Sequence, residues 1–304
     1  MLLDLSHVKS GFSDKLRAIT FFVAFAKLAK LKFFFNIYEK KNFQCPFKFV
    51  DYCKIYNFKF KKIESIYDSI RDNNIIINSY NSELNTANCI KHNYSDKVKN
   101  SELLKHWKLS YKSIIPNVDL HKKIKKLNLP RTLVGIHIRS TDRLINFKKI
   151  IYNVQLKDTF FNFQLKSFEK NLSNLIKKNT NIKNIYVASD QKELKNKIIK
   201  NLLKDGFKIY YNKSFFKKKK FRKTSGEDFL IDLFSLSVCN IIITTVGGGV
   251  PHTAKLLSHK KIKIIKWIDQ VNIFIFIRLL VLVIYYLKRL KSKILDFLRI
   301  LIFK

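Results

Sequence analysis

Residues 132–267 alternate short apolar runs with stretches of helical spacing, and that alternation leaves the chain few folds to choose from. The runs are TLVGIHI (132–138), NIYVAS (184–189), residues 207–211, NIIITT (240–245) and KIIKW (263–267). Between them, residues 164–178, 192–203, 228–237 and 252–257 carry helical periodicity. A short continuous apolar run suits a strand covered on both faces. Strands each followed by a helix predict a parallel sheet flanked by helices. The start of the chain shows the same pattern. Residues 2–5 read as a strand, a small-residue turn leads into the apolar run 18–31, and KFFFNIY (32–38) reads as the next strand. Residues 40–130 are less regular, with a strand at 75–77, a helix at 101–115, and Pro116 and Pro130 as punctuation.

Residues with chemical potential sit at the ends of these runs. TLVGIHIRSTDR places His137, Arg139, Asp142 and Arg143 at or just beyond a strand's carboxyl end, the edge where open α/β sheets bind ligands. Arginine presents a planar fork of donors that matches phosphate oxygens. His137 can bond a nucleotide or hold the loop, and Asp142 can orient either arginine. The alternative is a solvated loop with a surface ion pair. TTVGGGVPHTAKLL brings Thr244, Thr245, Gly247 and Gly248 to a strand–helix junction. Glycines permit close backbone approach there, and the helix amino end offers free N–H groups to an anion. The segment is neither a P-loop nor G-x-G-x-x-G. In YVASD, Asp190 ends a further strand, where it either accepts from a guanine edge or caps the next helix. GFSDKLRAI near the start places Gly11 and Arg17 at a helix amino end, which would line the same cleft from the other side.

Charge alone suggests a different partner. The formal net charge is +38. Lysine supplies most of it, scattered along a chain that is also rich in Asn, Ile and Phe. That joint bias argues against a specific nucleic-acid surface, although attraction to anionic surfaces remains. Cys45, Cys53, Cys89 and Cys239 lack paired C-x-x-C spacing, so neither a zinc site nor a disulfide framework is expected. The acid at Asp4 does not suit a signal peptide's basic start, and a cytoplasmic protein with reduced thiols is expected. The tail changes character. Residues 273–287 are strongly apolar but interrupted by Arg278, and residues 288–304 space Leu and Ile helically among Lys and Arg. Such a basic amphipathic segment suits the face of an anionic membrane. Packing on the core, or a full span, are the alternatives.

Taken in order, GFSDKLRAITFFVAFAKLAK, GIHIRSTDR, YVASDQKEL and EDFLIDLFSLSVCNIIITTVGGGVPHTAKLL resemble the GDP-fucose-dependent fucosyltransferases. That superfamily includes the α-1,2-, α-1,6- (nodulation protein Z-like) and protein O-fucosyltransferases. The resemblance implies an α/β, GT-B-like fold of two Rossmann-like domains across a cleft. Residues 1–130 would be the acceptor-side domain and 131–268 the GDP-binding domain; residues 269–304 fall outside the resemblance, and their own pattern is what suggests a membrane-associated amphipathic helical tail on the inner face of the cytoplasmic membrane. It implies inverting transfer of fucose from GDP-fucose to a glycan hydroxyl, with no metal and no further cofactor. Arg139 would be catalytic at the β-phosphate. His137, Asp190, Thr244, Thr245, Gly247 and Gly248 would hold the nucleotide, while Gly11, Arg17, Asp142 and Arg143 would support the acceptor cleft. The chain departs from the pattern in three places. Ser140 replaces a second arginine, glycines 247–249 stand where Ser or Thr is usual, and residues 144–151 contain no carboxylate to serve as base. Alternatives are another nucleotide-sugar transferase, a GDP binder without turnover, or a non-catalytic basic protein that binds membranes or nucleic acid.

Overall fold

The computed structural model describes residues 2–4, 12–31, 34–36, 53–55, 61–62, 76–77, 100–139, 156–190, 192–213, 226–245 and 249–267. Gly11, Asp142, Arg143, Gly247, Gly248, Cys45, Cys89 and the tail beyond residue 267 lie outside the described residues. Among the described residues, no helix is long and apolar enough to cross a membrane.

Five strands form the larger sheet: β7 (Val134–Ile138), β8 (Asn184–Ser189), β9 (Lys208–Tyr210), β10 (Ile241–Thr244) and β11 (Lys263–Lys266). All its pairs are parallel, and the spatial order is β11-β10-β7-β8-β9. Counted along the chain within this sheet, that order is 5-4-1-2-3. The winding direction therefore reverses between β7 and β10, which creates a crevice at their carboxyl ends. A second parallel sheet joins β1 (Leu2–Asp4), β2 (Phe34–Asn36), β4 (Lys61–Lys62) and β5 (Ile76–Ile77) in the order β4-β2-β1-β5. Its winding repeats that of the first four strands of the larger sheet. The short strands β3 (Cys53–Ile55) and β6 (Ile114–Pro116) pair antiparallel.

Every residue of β7 is buried, as its uninterrupted apolar run requires. Val134, Ile136 and Ile138 face helices α4 (Leu156–Asn179) and α5 (Lys192–Lys204), in a core with Phe168, Leu172, Ile198 and Trp267. On the opposite face lie α6 (Gly226–Ser237), α7 (Gly249–Leu257) and the amino-terminal helix α1 (Phe12–Leu28). Gly135 is what lets α6 settle there. A Cβ at this position would stand 2.6 Å from Leu236 Cδ2 and 3.0 Å from Cys239 Sγ. Gly135→Ala should therefore destabilise the fold by roughly 1–3 kcal/mol through overpacking. The check is a lower denaturant midpoint at unchanged slope; an unchanged midpoint would mean that α6 gives way freely.

Helix α1 begins at Phe12, a turn and a half before the apolar run that signals it, and from residue 18 to 26 every side chain is buried. Over that stretch it has no exposed face, as befits a segment enclosed on all sides. Helix α2 (Asn100–Lys112) covers one flank with Leu103, Trp107 and Tyr111. Trp107 Nε1 donates to Thr20 Oγ1 at 3.0 Å, and the Thr20 hydroxyl donates to Leu16 O at 2.8 Å, so both of these side-chain groups are satisfied. The helix expected over 101–115 stops at Lys112, because Ile114–Pro116 is recruited as β6 by β3. Helix α3 (Val118–Lys125) follows, capped by Asn117, which accepts from Leu120 N at 2.8 Å, and tied to α6 by a Lys123–Glu227 ion pair.

Cys53 and Cys239 are free and buried. Burial pushes the Cys53 thiol up to about 12 and raises that of Cys239 further. Both are inert structural thiols.

Candidate functional site

The carboxyl ends of β7 and β10 are joined beyond the last strand residues by a seam of side-chain and backbone bonds. His137 and Thr244 are in register and both buried, with Nδ1 3.2 Å from Oγ1. Thr245 N donates to His137 O at 3.3 Å, and Arg139 N donates to Thr245 Oγ1 at 3.3 Å. The half-buried Arg139 is therefore held, at its backbone, to the residue from which the glycine turn departs. Four of the residues singled out from sequence come together here, at the point where the sheet reverses direction. The physical cause is local. Branched apolar residues carry each strand to the edge, and a threonine then offers a hydroxyl where the ladder runs out of partners.

The amino end of α7 brings in a segment from far up the chain. A Cβ at Gly249 would lie 2.7 Å from Ser13 Cβ and 3.1 Å from its Oγ, so α7 and α1 meet at their first turns. Only a residue without a side chain permits that approach. Each helix amino end carries a partial positive charge and unpaired N–H groups. Two such ends side by side repel one another unless an anion lies near them. Arg17 is half-buried one turn into α1, on the same side of the molecule as this contact. Ser13 was not singled out by the sequence; its closeness to Gly249 is a matter of packing alone.

Asp190 stands half-buried at the carboxyl end of β8, beside β7. Helix α5 starts at Lys192, which is compatible with either capping or ligand contact by Asp190. Deeper on the same flank, Tyr186 Oη donates to Asp232 Oδ1 at 2.6 Å, and both groups are buried. Burial raises the Asp232 carboxyl to about 6, against the opposing influence of Lys195 and the Tyr186 hydrogen bond. Burial and the facing carboxylate also raise the Tyr186 phenol well above its usual range. Lys195, itself buried, donates to Asn212 O at 2.9 Å, and Asn212 Nδ2 donates to Asp228 Oδ1 at 2.9 Å. This buried polar network escaped the sequence reading. Its signal was Asp232 standing between the apolar residues Leu230, Ile231, Leu233 and Leu236 of α6. Among the described residues, no His, Cys, Asp or Glu side chains gather in a group of three or more able to hold a metal ion.

No sequence model of a known protein family matches the chain, and no curated protein matches it in sequence. In structure it is similar to fucosyltransferase NodZ from Bradyrhizobium, with a TM-score of 0.51 and 11% identity over 84% of this chain and 92% of that one. It is also similar to POFUT1 in complex with GDP, with a TM-score of 0.50 and 12% identity over 86% and 97% of the two chains. POFUT1 in complex with GDP-fucose gives a TM-score of 0.51 at 10% identity, with the same coverage. At such identities the likeness is one of fold: an α/β architecture with parallel sheets shared along most of both chains.

Proposed function

We propose that the protein is a glycosyltransferase that moves fucose from GDP-fucose to a hydroxyl of a glycan acceptor, with inversion at the anomeric carbon and without need of a metal ion. The observation that carries this reading is the seam of His137, Arg139, Thr244 and Thr245 at the switch point between β7 and β10. Its support is the fold shared with fucosyltransferases crystallised with GDP or GDP-fucose.

As the bond from sugar to phosphate breaks, negative charge grows on the β-phosphate and positive character on the sugar ring. Arg139 meets the phosphate charge with its guanidinium fork, while the buried Thr244 and Thr245 brace the strand ends beneath it through His137 and the Arg139 backbone. Gly247 and Gly248, which follow Val246 in sequence, are residues that would let a diphosphate come close to the backbone. The amino ends of α7 and α1 add N–H dipoles. Donors fixed in place before the reaction favour the transition state over the bound substrate. His137 and Asp190 hold the nucleotide. Gly11, Arg17, Asp142 and Arg143 line the acceptor side, in a cleft between a domain of residues 1–130 and one of residues 131–268. The tail from 269 onward keeps the enzyme on the cytoplasmic face of an anionic membrane, where a glycan acceptor is presented.

A thermal-shift series tests the donor directly. GDP and GDP-fucose should raise the unfolding midpoint, by about 2.7 kcal/mol of stability at a hundredfold excess over Kd, while UDP-sugars leave it unchanged. A shift with UDP-sugars alone would move the protein to another donor class. No shift with any nucleotide sugar would end the transferase reading.

A further inference from the structure

The opposite edge of the larger sheet, where its strands begin, carries a charge pattern that the donor site does not use. Exposed basic residues stand in or beside the segments that lead into β7, β8, β9 and β11, among them Arg131, Lys178, Lys183, Lys204, Lys208 and Lys261. Asp205 is the one carboxylate in residues 126–133, 177–183, 204–208, 237–240 and 258–263. Hydrogen bonds knit these segments into one surface. Lys208 N donates to Lys183 O at 3.0 Å, Lys263 N to Asn240 O at 3.2 Å, Leu133 N to Asn240 Oδ1 at 3.0 Å, and Lys260 Nζ to Arg131 O at 3.2 Å. Lysines in the last turns of α4 and α5 complement the helix dipoles there, and need no other reason. Arg131, Lys183, Lys208 and Lys261 lie outside the helices, and the dipoles do not account for them.

We propose that this edge docks on an anionic lipid bilayer. Parallel strands that start in one layer present their lysines on a broad face, which suits a charged plane. The residues are mostly lysine, a flexible point charge, rather than the arginine fork that reads individual phosphates. No aromatic side chain is exposed in these segments to stack on bases. Each lysine brought to an anionic bilayer strengthens binding severalfold. The edge lies opposite the crevice of β7 and β10, at least one strand length away, so the membrane and a nucleotide can be bound together. The proposal is independent of what that crevice binds.

The test uses the full chain and vesicles of phosphatidylcholine, with and without about 30% phosphatidylserine, at physiological salt. A fourfold variant, K178Q/K183Q/K204Q/K261Q, removes exposed charges from the edge. A control, K105Q/K108Q/K112Q/K192Q, removes as many exposed charges from α2 and the start of α5. The full chain should prefer the anionic vesicles. The edge variant should bind them about a hundredfold more weakly, while the control falls no more than about threefold. Lys→Arg at the four edge positions should bind like the parent. Equal losses in edge variant and control would overturn the proposal, as would undiminished binding of the edge variant. So would tighter binding to duplex DNA than to anionic vesicles at the same salt.

Discussion

Replacing Arg139 by lysine is expected to leave the protein folded and to lower sugar transfer roughly 100- to 1,000-fold, a loss of about 2.7–4 kcal/mol of transition-state stabilisation. Arg139 is tied to the fold through its backbone N–H, which bonds to Thr245 Oγ1, and any side chain preserves that bond. What lysine removes is the geometry of two parallel donors. A point charge follows a phosphate in the ground state but does not span the oxygens on which charge develops. Turnover should therefore fall much further than the affinity for GDP. The measurement is transfer rate set beside thermal stabilisation by GDP for both proteins. A folded variant with near-normal turnover would take Arg139 out of the chemistry.

Asp232→Asn is expected to stabilise the protein, with an effect that depends on pH. The carboxyl's value in the fold, about 6, lies above its ordinary 3.8. The folded state thus holds this proton more tightly than the unfolded chain does. Below 3.8 the group favours folding. That contribution is lost as pH rises through about 6, a total change of roughly 3 kcal/mol between the two limits. Asparagine keeps an oxygen to accept from Tyr186 and carries no charge to bury. The variant should therefore match the parent near pH 4 and exceed it by roughly 3 kcal/mol above pH 7. Other titrating groups are common to both proteins and largely cancel in the difference. Denaturant unfolding at several pH values reads it out, and a constant difference across the range would contradict the assignment.

Much of this was legible from residue pattern because burial on both faces writes itself into a strand. β7, β8 and β10 appear as unbroken apolar runs, and their ends, with His137, Arg139, Asp190 and Thr244, follow from the same runs. Their order in the sheet does not. Only the pairing of β10 with β7 puts Thr244 beside His137, and those residues are separated by more than a hundred positions of chain. Ser13, Asp14, Lys15 and Arg17 look like a turn by polarity, yet α1 already runs through them. Ile114 and Ile115 continue the helical spacing of α2, so β6 looks like helix by pattern. The partner that claims them, β3, is itself too short to announce. Asp232 is hidden in the pattern for a related reason. A carboxylate on a helix is ordinary until the phenol of Tyr186, on another strand, shows that it faces inward.

Because α1 is buried on every side from residue 18 to 26, it acts as a bolt rather than a bearing. Any breathing that parted its neighbours would wet Phe21, Phe22 or Phe25, at about 1.5–3 kcal/mol for each ring exposed. The first turn of this bolt abuts Gly249, so a displacement of α1 along its axis would be felt first at the start of α7.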